Sequence, residues 1–406
     1  MPKYLFICSD YLSSSDANGI CVKNVVNELK KGGKVSVISE SDNDGILYES
    51  EQEVIYGVRR TSFSSFIKKH GESGLFAAAV RIIRGSIAAI NYPNVSQGRS
   101  EKVYQLANRL VTNGDADIVV CVYRPFESLY AGMRLKKAHT DIRVIGYHLD
   151  LLTEPNNTNP CIVAYKKLKA NRFIQREIET FDRIILPKSM KRYTDHSKLC
   201  YADFPLFSLG NEQQASGFAF EKEYVNFAYI GSIDGCNREI TYLLRILDGA
   251  QKKIGRPIRL NVWGNADQSV QQQIGESDIA QYHGLIDNTF TDDLLNNADF
   301  VVNLSNRNTY AMVPSKIFQL FSCRKPVLNI VESEQDAALP YFLQNSFACN
   351  VYAYLGELVS DVEKVSDFIM EYSGRCQNAD VIENLYRESK PAYVVDLIED
   401  TVNRKE

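Results

Sequence analysis

The sequence predicts an α/β protein of two Rossmann-like, doubly wound domains in tandem, and three observations carry that expectation. Short apolar, β-branched runs alternate with longer amphipathic stretches along the chain, the pattern of parallel sheets with helices on both faces. From Asp203 to Glu223 the pattern gives way to Pro, Gly, Ser, Gln and alternating charge, which marks a hinge. The length, 406 residues, suits two cores better than one.

The first domain, residues 1–205, opens with a strand at Tyr4 to Cys8, a polar Gly-containing turn from Asp10 to Gly19, and a helix carrying Val22, Val25, Val26 and Leu29 on one face. Gly32-Gly33 stops that helix and Lys34 to Ile38 supplies the next strand, a βαβ unit that implies a parallel sheet. Ile118 to Val122, Arg143 to Tyr147 and Arg183 to Leu186 continue it. The second domain, residues 222–380, has strands at Asn226 to Ile230, Arg259 to Trp263, Phe300 to Leu304 and Pro326 to Val331, with helices around Arg238 to Lys253 and Pro314 to Cys323. The last stretch, Val381 to Asn403, is helical in pattern; residues from about 381 to 406 are expected to pack back on the first domain.

Composition narrows the function. Apolar residues at 45% and charged residues at 24% describe a globular protein that buries a sizeable core. A formal net charge of -4 argues against a surface made to neutralise nucleic-acid phosphates. The nine cysteines are scattered singly, with no C-x-x-C pair, so neither a disulfide framework nor a zinc knuckle is indicated and a reducing cytoplasm is expected. No signal-like segment precedes the first strand, and no run approaches the roughly 18 apolar residues of a membrane span. Membrane contact, if any, is expected to be peripheral, at the inner face, through residues 59–84. There Arg59-Arg60, Lys68-Lys69, Arg81 and Arg84 interleave with Phe63, Phe66, Ile67, Leu75, Phe76, Val80, Ile82 and Ile83. The same stretch also fits a helix packing its apolar side inward.

In open parallel sheets ligands bind beyond the carboxyl ends of the strands, so the informative loops are those that follow strands. Two such domains facing across a hinge leave a cleft suited to a two-substrate reaction. The most specific local signal is Val313-Pro314-Ser315-Lys316-Ile317-Phe318-Gln319, where Pro314 or its neighbour opens a helix, Ser315 is a cap or early-turn donor, Lys316 offers a point charge and Gln319 lies one turn on. A P-S-K triplet also fits an ordinary capped helix with an exposed lysine. Arg124 and the run Asn306-Arg307-Asn308 occupy ligand-side loops; solvated loop residues are the default for both, and either arginine suits an anionic group. Asp115-Ala116-Asp117 precedes its strand, at the end away from ligands, and reads as a polar turn rather than a metal motif. No essential metal is expected, and no G-x-G-x-x-G fingerprint follows the first strand.

The Pro314 to Phe318 segment, with Arg324-Lys325-Pro326-Val327 after it, resembles the PSK-F-E donor motif and GKPV-like strand of family-4 glycosyltransferases (glycosyltransferase group 1). The order of the surroundings is similar too. Tyr229-Ile230-Gly231-Ser232 looks like the glycine turn opening the family's donor domain, and Val262-Trp263-Gly264 like its second strand end. Tyr282 to Ile286 with Asn297-Ala298-Asp299 looks like its G-x-[IV] and AD stretches, Asp10 to Gly19 like its acceptor-side glycine loop, and Gly146-Tyr147-His148 like the strand ending in a sugar-contacting histidine. The resemblance covers nearly the whole chain. It implies the GT-B architecture and a retaining glycosyltransferase, with a nucleotide-sugar as co-substrate, no further cofactor, and a glycan, lipid-linked or other hydroxyl acceptor in polysaccharide or glycolipid biosynthesis. It implies that Gly231, Ser232, Arg307, Pro314, Ser315 and Gln319 bind the donor, that Gly19 and Arg124 lie on the acceptor side, and that His148, Arg238 and Lys316 act on the reacting centre and leaving group. The family's E-x7-E pair is absent: Ala311 stands first and Gln319 second, so a ribose contact is kept and a carboxylate contact to the sugar is lost. The Arg and Lys that many members carry beyond the glycine turn are absent as well, and Arg238 with Lys316 is the substitute pair. A sugar-nucleotide epimerase of this architecture and a non-catalytic sugar-nucleotide-binding relative are the alternatives. Away from the resemblance, His148 fits a satisfied, half-buried histidine equally well, and His283, inside a strand-like run, reads as structural.

Overall fold

The unbroken apolar runs of the strands, Ile118 to Tyr123 among them, are extended and buried on both faces, as strands between two helical layers must be. The computed structural model describes residues 2–13, 16–59, 93, 96–123, 125–150, 160–191, 196–209, 219–287, 290–308 and 312–403. These divide into two compact units, Met1–Pro205 with Glu388–Glu406, and Leu206–Arg387.

The first unit is an eight-stranded sheet. Its strands are β1 (Lys3–Ile7), β2 (Lys34–Ser41), β3 (Gly45–Glu49), β4 (Glu53–Arg59), β5 (Ile118–Tyr123), β6 (Arg143–His148), β7 (Arg183–Pro187) and β8 (Leu199–Ala202), in the order β3-β4-β2-β1-β5-β6-β7-β8. All neighbours are parallel except the β3–β4 hairpin, which closes one edge. Its helices are α1 (Ala17–Leu29), α2 (Gln97–Thr112), α3 (Phe126–Ala138) and α4 (Pro160–Thr180).

The second unit is a six-stranded parallel sheet of β9 (Val225–Ile230), β10 (Ile258–Trp263), β11 (Ala280–Gly284), β12 (Phe300–Leu304), β13 (Val327–Val331) and β14 (Ala348–Tyr352), ordered β11-β10-β9-β12-β13-β14. Counted within the unit this is 3-2-1-4-5-6, the order of dinucleotide-binding folds. Around it lie α5 (Thr241–Ile254), α6 (Gln268–Gly275), α7 (Thr291–Asn297), α8 (Lys316–Ser322), α9 (Leu339–Leu343), α10 (Leu358–Tyr372) and α11 (Ala379–Leu385). Phe227 and Phe300, on neighbouring strands, stack at 4.8 Å in its core.

Several boundaries differ from the sequence reading, among them the donor-segment helix, which starts at Lys316 and not at Pro314. Helix α1 starts at Ala17, because the Asp16 side chain caps the N–H groups of Asn18 and Gly19, so Gly19 lies in a helix and not in the loop. Helix α5 starts at Thr241, three residues after Arg238. The stretch 381–403 is not one helix: α11 ends at Leu385, a 3-10 turn spans Arg387–Ser389, and α12 (Pro391–Asn403) begins with a proline at its first position, where the missing N–H costs nothing. The chain rejoins the first unit at Glu388, and α12 lies against α1, β6 and β8.

Residues 60–92 hold most of the basic amphipathic stretch and lie outside the described residues, as does Arg124. Among the described residues no helix is long and apolar enough to cross a membrane. Asp115 and Asp117 sit before β5, at the amino end of the sheet, where the Lys3 N–H donates to Asp117 Oδ2 at 3.3 Å.

Candidate functional site

In the second unit the strand order reverses between β9 and β12, so the loops after these two strands flank the crevice at which open α/β sheets take ligands. The β9 loop is a folded turn. Asp234 Oδ1 accepts from the N–H groups of Asn237 (2.7 Å) and Arg238 (3.0 Å). Burial pushes this carboxyl up, but these backbone bonds prevail and hold it below its usual range. The turn is bolted to the β12 loop: the Arg307 N–H donates to Asn237 O at 2.7 Å, and the Asn308 N–H to Asn237 Oδ1 at 2.9 Å. Asn306, expected to be solvated, is buried, and its Oδ1 accepts from Arg238 Nε (2.8 Å) and Asn237 Nδ2 (3.2 Å). Arg238 Nη1 also reaches Ser232 O at 3.4 Å.

Lys316 comes to the same place from α8. That helix buries Ile317, Phe318, Leu320 and Phe321, with Phe321 stacked on Tyr386 at 4.1 Å and Phe318 edge-on to Tyr341 at 5.3 Å. The apolar face fixes the helix's roll, which leaves Lys316 exposed. Desolvation, and then the Arg238 charge, lower the Lys316 pKa, so the two cations feel each other. Among the described residues neither the Arg238 guanidinium nor the Lys316 ammonium forms an ion pair with a carboxylate; Asp234 meets Arg238 only at its backbone N–H.

The helix start itself is less available than the sequence suggests. Helix α8 has seven residues, Ser315 makes no capping bond with its side chain, and the N–H groups of Ile317 and Phe318 turn back to Pro314 O (3.2 Å) and Ser315 O (3.3 Å). The free donors here are therefore the side chains of Arg238 and Lys316 rather than a full turn of amides.

Other expected donor residues have other employment. Arg307 pairs with Glu239 (2.9 Å) and Glu332 (3.2 Å), which raise its pKa; its charge is cancelled within the unit, tying the loops after β9, β12 and β13. Gln319 donates from Nε2 to Asp292 Oδ1 at 2.8 Å. Gly231 is buried, its N–H donating to Trp263 O at 2.9 Å, and Ser232 is exposed beside it.

In the first unit, Gly19 is buried where a Cβ would sit 2.1 Å from Asp10 O, so α1 packs directly on the β1 loop. The Asn18 amide then reaches Asp150, two residues past β6, at 2.9 Å. His148 ends β6 on the ligand side of the sheet, only 1% exposed, its Nε2 2.9 Å from Glu177 Oε1. Among the described residues His148 Nδ1 and Glu177 Oε2 have no hydrogen-bond partner. Sequence reading missed Glu177, although the pattern held the clue: it falls on the buried stripe Ala170, Phe173, Ile174, Ile178 of α4, where a lone carboxylate needs a partner. His283, in β11, donates to Asn261 Oδ1 at 3.0 Å, since the Asn261 amide nitrogen points to Asn226, and stacks on Trp263 at 4.3 Å.

No family model matches the sequence, and no curated protein is similar enough to match it. Solved structures do match. TarM shares 10% identity over 100% of this chain and 99% of its own, with a TM-score of 0.59. A trehalose-6-phosphate synthase, OtsA, shares 11% over 98% and 99%, with a TM-score of 0.56. The Escherichia coli enzyme, solved with UDP-2-fluoro glucose, shares 11% over 97% and 99%, at 0.53. A Staphylococcus aureus TarM mutant, solved with Fondaparinux, alpha-GlcNAc-glycerol and UDP, shares 9% over 99% and 98%, also at 0.53. At these identities the likeness speaks for the fold, and the fold of this chain is GT-B, that of the glycosyltransferases it matches from end to end.

Proposed function

We propose that this chain is a glycosyltransferase that moves a sugar from a nucleotide-sugar held by the second unit to an acceptor hydroxyl received by the first. The observation that carries the reading is the Arg238 and Lys316 pair: two cations delivered from different loops to the strand-order reversal, uncancelled by any described carboxylate. The leaving group of such a transfer is a nucleoside diphosphate, whose negative charge grows as the glycosidic bond breaks. Fixed cations at that point bind the transition state more strongly than the ground state.

The remaining roles follow from position. Ser315 and the backbone of Gly231 and Ser232 line the diphosphate, with Pro314 setting the turn. Gln319, whose amide nitrogen is engaged by Asp292, offers its carbonyl oxygen to a ribose hydroxyl. In keeping with the resemblance of the donor segment, transfer retains the anomeric configuration, and the departing diphosphate helps take the acceptor proton. The two side-chain cations do this work without a metal ion, so EDTA leaves turnover unchanged. The acceptor is a glycan or lipid-linked hydroxyl of polysaccharide or glycolipid assembly. TarM and the trehalose-6-phosphate synthase were solved with UDP or a UDP-sugar, which makes UDP-sugars the first donors to try.

The test is a panel of UDP-, GDP- and ADP-sugars with and without acceptor. Consumption that needs acceptor, and that falls about a hundredfold or more in kcat for Lys316→Ala with acceptor KM little changed, supports the reading. Interconversion without acceptor identifies an epimerase, and binding without turnover a non-catalytic relative; either outcome overturns it.

A further inference from the structure

Two arginines stand side by side at the reversal of strand order, and the protein treats them in opposite ways. Arg307 is held by two carboxylates, Glu239 at 2.9 Å and Glu332 at 3.2 Å, so its field is cancelled where it stands. Arg238 is held as firmly, but among the described residues its guanidinium meets neutral oxygens: the Asn306 amide at 2.8 Å, the Ser232 carbonyl at 3.4 Å and the Tyr229 hydroxyl. From this contrast we infer that Asn306 is a positioning residue for the diphosphate site, an amide placed to fix the Arg238 guanidinium beside Lys316 without neutralising it. The inference rests on the proposed donor site and names the residue that sets its charge.

The geometry gives Asn306 the means. It is 8% exposed, and its one carbonyl oxygen takes both Arg238 Nε and Asn237 Nδ2, so it is the meeting point of the β9 and β12 loops. The described partners of the guanidinium, Asn306, Ser232 and Tyr229, do not use all of its five donors, which leaves part of its edge for an anion. A carboxylate at this position would accept the same two bonds in nearly the same space. It would also cancel the charge that an anion needs, as Glu239 and Glu332 do for Arg307. The choice of Asn over Asp is therefore neutral for the loop clasp and decisive for the ligand. Lys316 is the internal witness: part of the depression of its pKa comes from the Arg238 charge, and cancelling that charge relieves it.

The experiment is calorimetric titration of the full chain with inorganic pyrophosphate, UDP and uridine. Asn306→Asp is expected to melt as the wild type does, to bind pyrophosphate and UDP at least tenfold more weakly, and to bind uridine unchanged, with the Lys316 Nζ resonance titrating at higher pH. Asn306→Ala frees the guanidinium and weakens pyrophosphate several-fold, but adds nothing on an Arg238→Gln background. Asn306→Asp binding UDP as tightly as wild type, or losing uridine to the same degree, overturns the inference, as does an Asn306→Ala loss that persists without Arg238. If Asn306→Asp does not fold, the Asn306→Ala cycle decides alone. A wild type that binds neither pyrophosphate nor UDP removes the donor-site reading itself, an outcome separate from these.

Discussion

His283 and Trp263 form a reporter beside the candidate donor site. Trp263 is the sole tryptophan of the chain, and the imidazole lies flat on its indole, 12° from parallel at 4.3 Å. Desolvation and then the Arg259 charge lower the His283 pKa from the ordinary 6.5. A histidine whose pKa is lower folded than unfolded contributes nothing above pH 6.5, where both states are neutral. Below that the unfolded chain takes the proton first, so stability falls as pH drops from 6.5 through the folded pKa and levels off beneath it. The ring sits on an exposed edge strand, so the loss in stability is small and the optical signal is the better measure. Tryptophan fluorescence should change with a midpoint below 6.5, and His283→Gln should abolish the transition. A midpoint at or above 6.5 would show that burial and Arg259 do not govern this ring. The Gly231 N–H bonds to the Trp263 carbonyl, so UDP binding at the proposed donor site is expected to change the same fluorescence.

At the scale of the element, the ends of β9 and β10 are held together by two glycines in contact. Gly264 has φ 128°, and a Cβ there would stand 2.0 Å from Gly231 O. Gly264→Ala therefore meets both backbone strain and a clash with main chain that cannot move aside. It is expected to cost about 1–3 kcal/mol for the strain alone, read as a lowered Tm, and to splay the turn that carries Ser232 and Arg238, weakening UDP. An unchanged Tm would mean that the strand ends tolerate separation. The two strand ends were legible, as the glycine turn Tyr229 to Ser232 and as Val262-Trp263-Gly264, though not the contact between their glycines. So were the strands that are apolar throughout, because burial on both faces leaves an unbroken run. Strand β3 was not, since all of its residues, Ile46, Leu47 and Tyr48 among them, are exposed and an edge hairpin has no core face to impose a period. Nor was the buried row Asn303–Asn329–Asn350, joined amide to amide at 2.8 Å across β12, β13 and β14. Single asparagines in three separate strands look like interruptions until register aligns them. Arg324 shows the converse. It takes φ 61° after α8, a position that suits glycine, and is kept there by bonds to and from the Gln377 backbone, the outgoing one 2.7 Å from Nε. The pairing of Arg238 with Lys316 was suggested by the resemblance, but the groups around it were not legible, because Asn306, which holds Arg238, and the carboxylates Glu239 and Glu332, which neutralise Arg307, come from separate loops.

At the scale of the molecule, the chain's last helix belongs to its first fold. Val394 and Ile398 of α12 are fully buried, the Tyr4 hydroxyl meets Glu399 at 3.1 Å, and buried Arg183 donates to Leu397 O at 2.8 Å. Glu388, where the chain rejoins the first unit, pairs with Lys188 at 2.7 Å. Deleting residues 388–406 removes two aliphatic anchors worth about 1.5–3 kcal/mol each. It also strips Arg183 of a partner, leaving a buried charge less satisfied. Against a typical domain stability of about 5–15 kcal/mol, that loss is expected to unfold the first unit or bring its melting close to room temperature. The second unit, Leu206–Arg387, keeps its core, its only tryptophan and both cations of the candidate site. The truncated chain should therefore lose the first unit's calorimetric transition while Trp263 fluorescence melts as in the intact protein. Pyrophosphate should still bind, because Arg238, Asn306 and Lys316 all lie within the surviving unit, whereas transfer to an acceptor should vanish. Loss of pyrophosphate binding together with the first unit would instead mean that the cation pair needs the amino-terminal unit to hold its ligand.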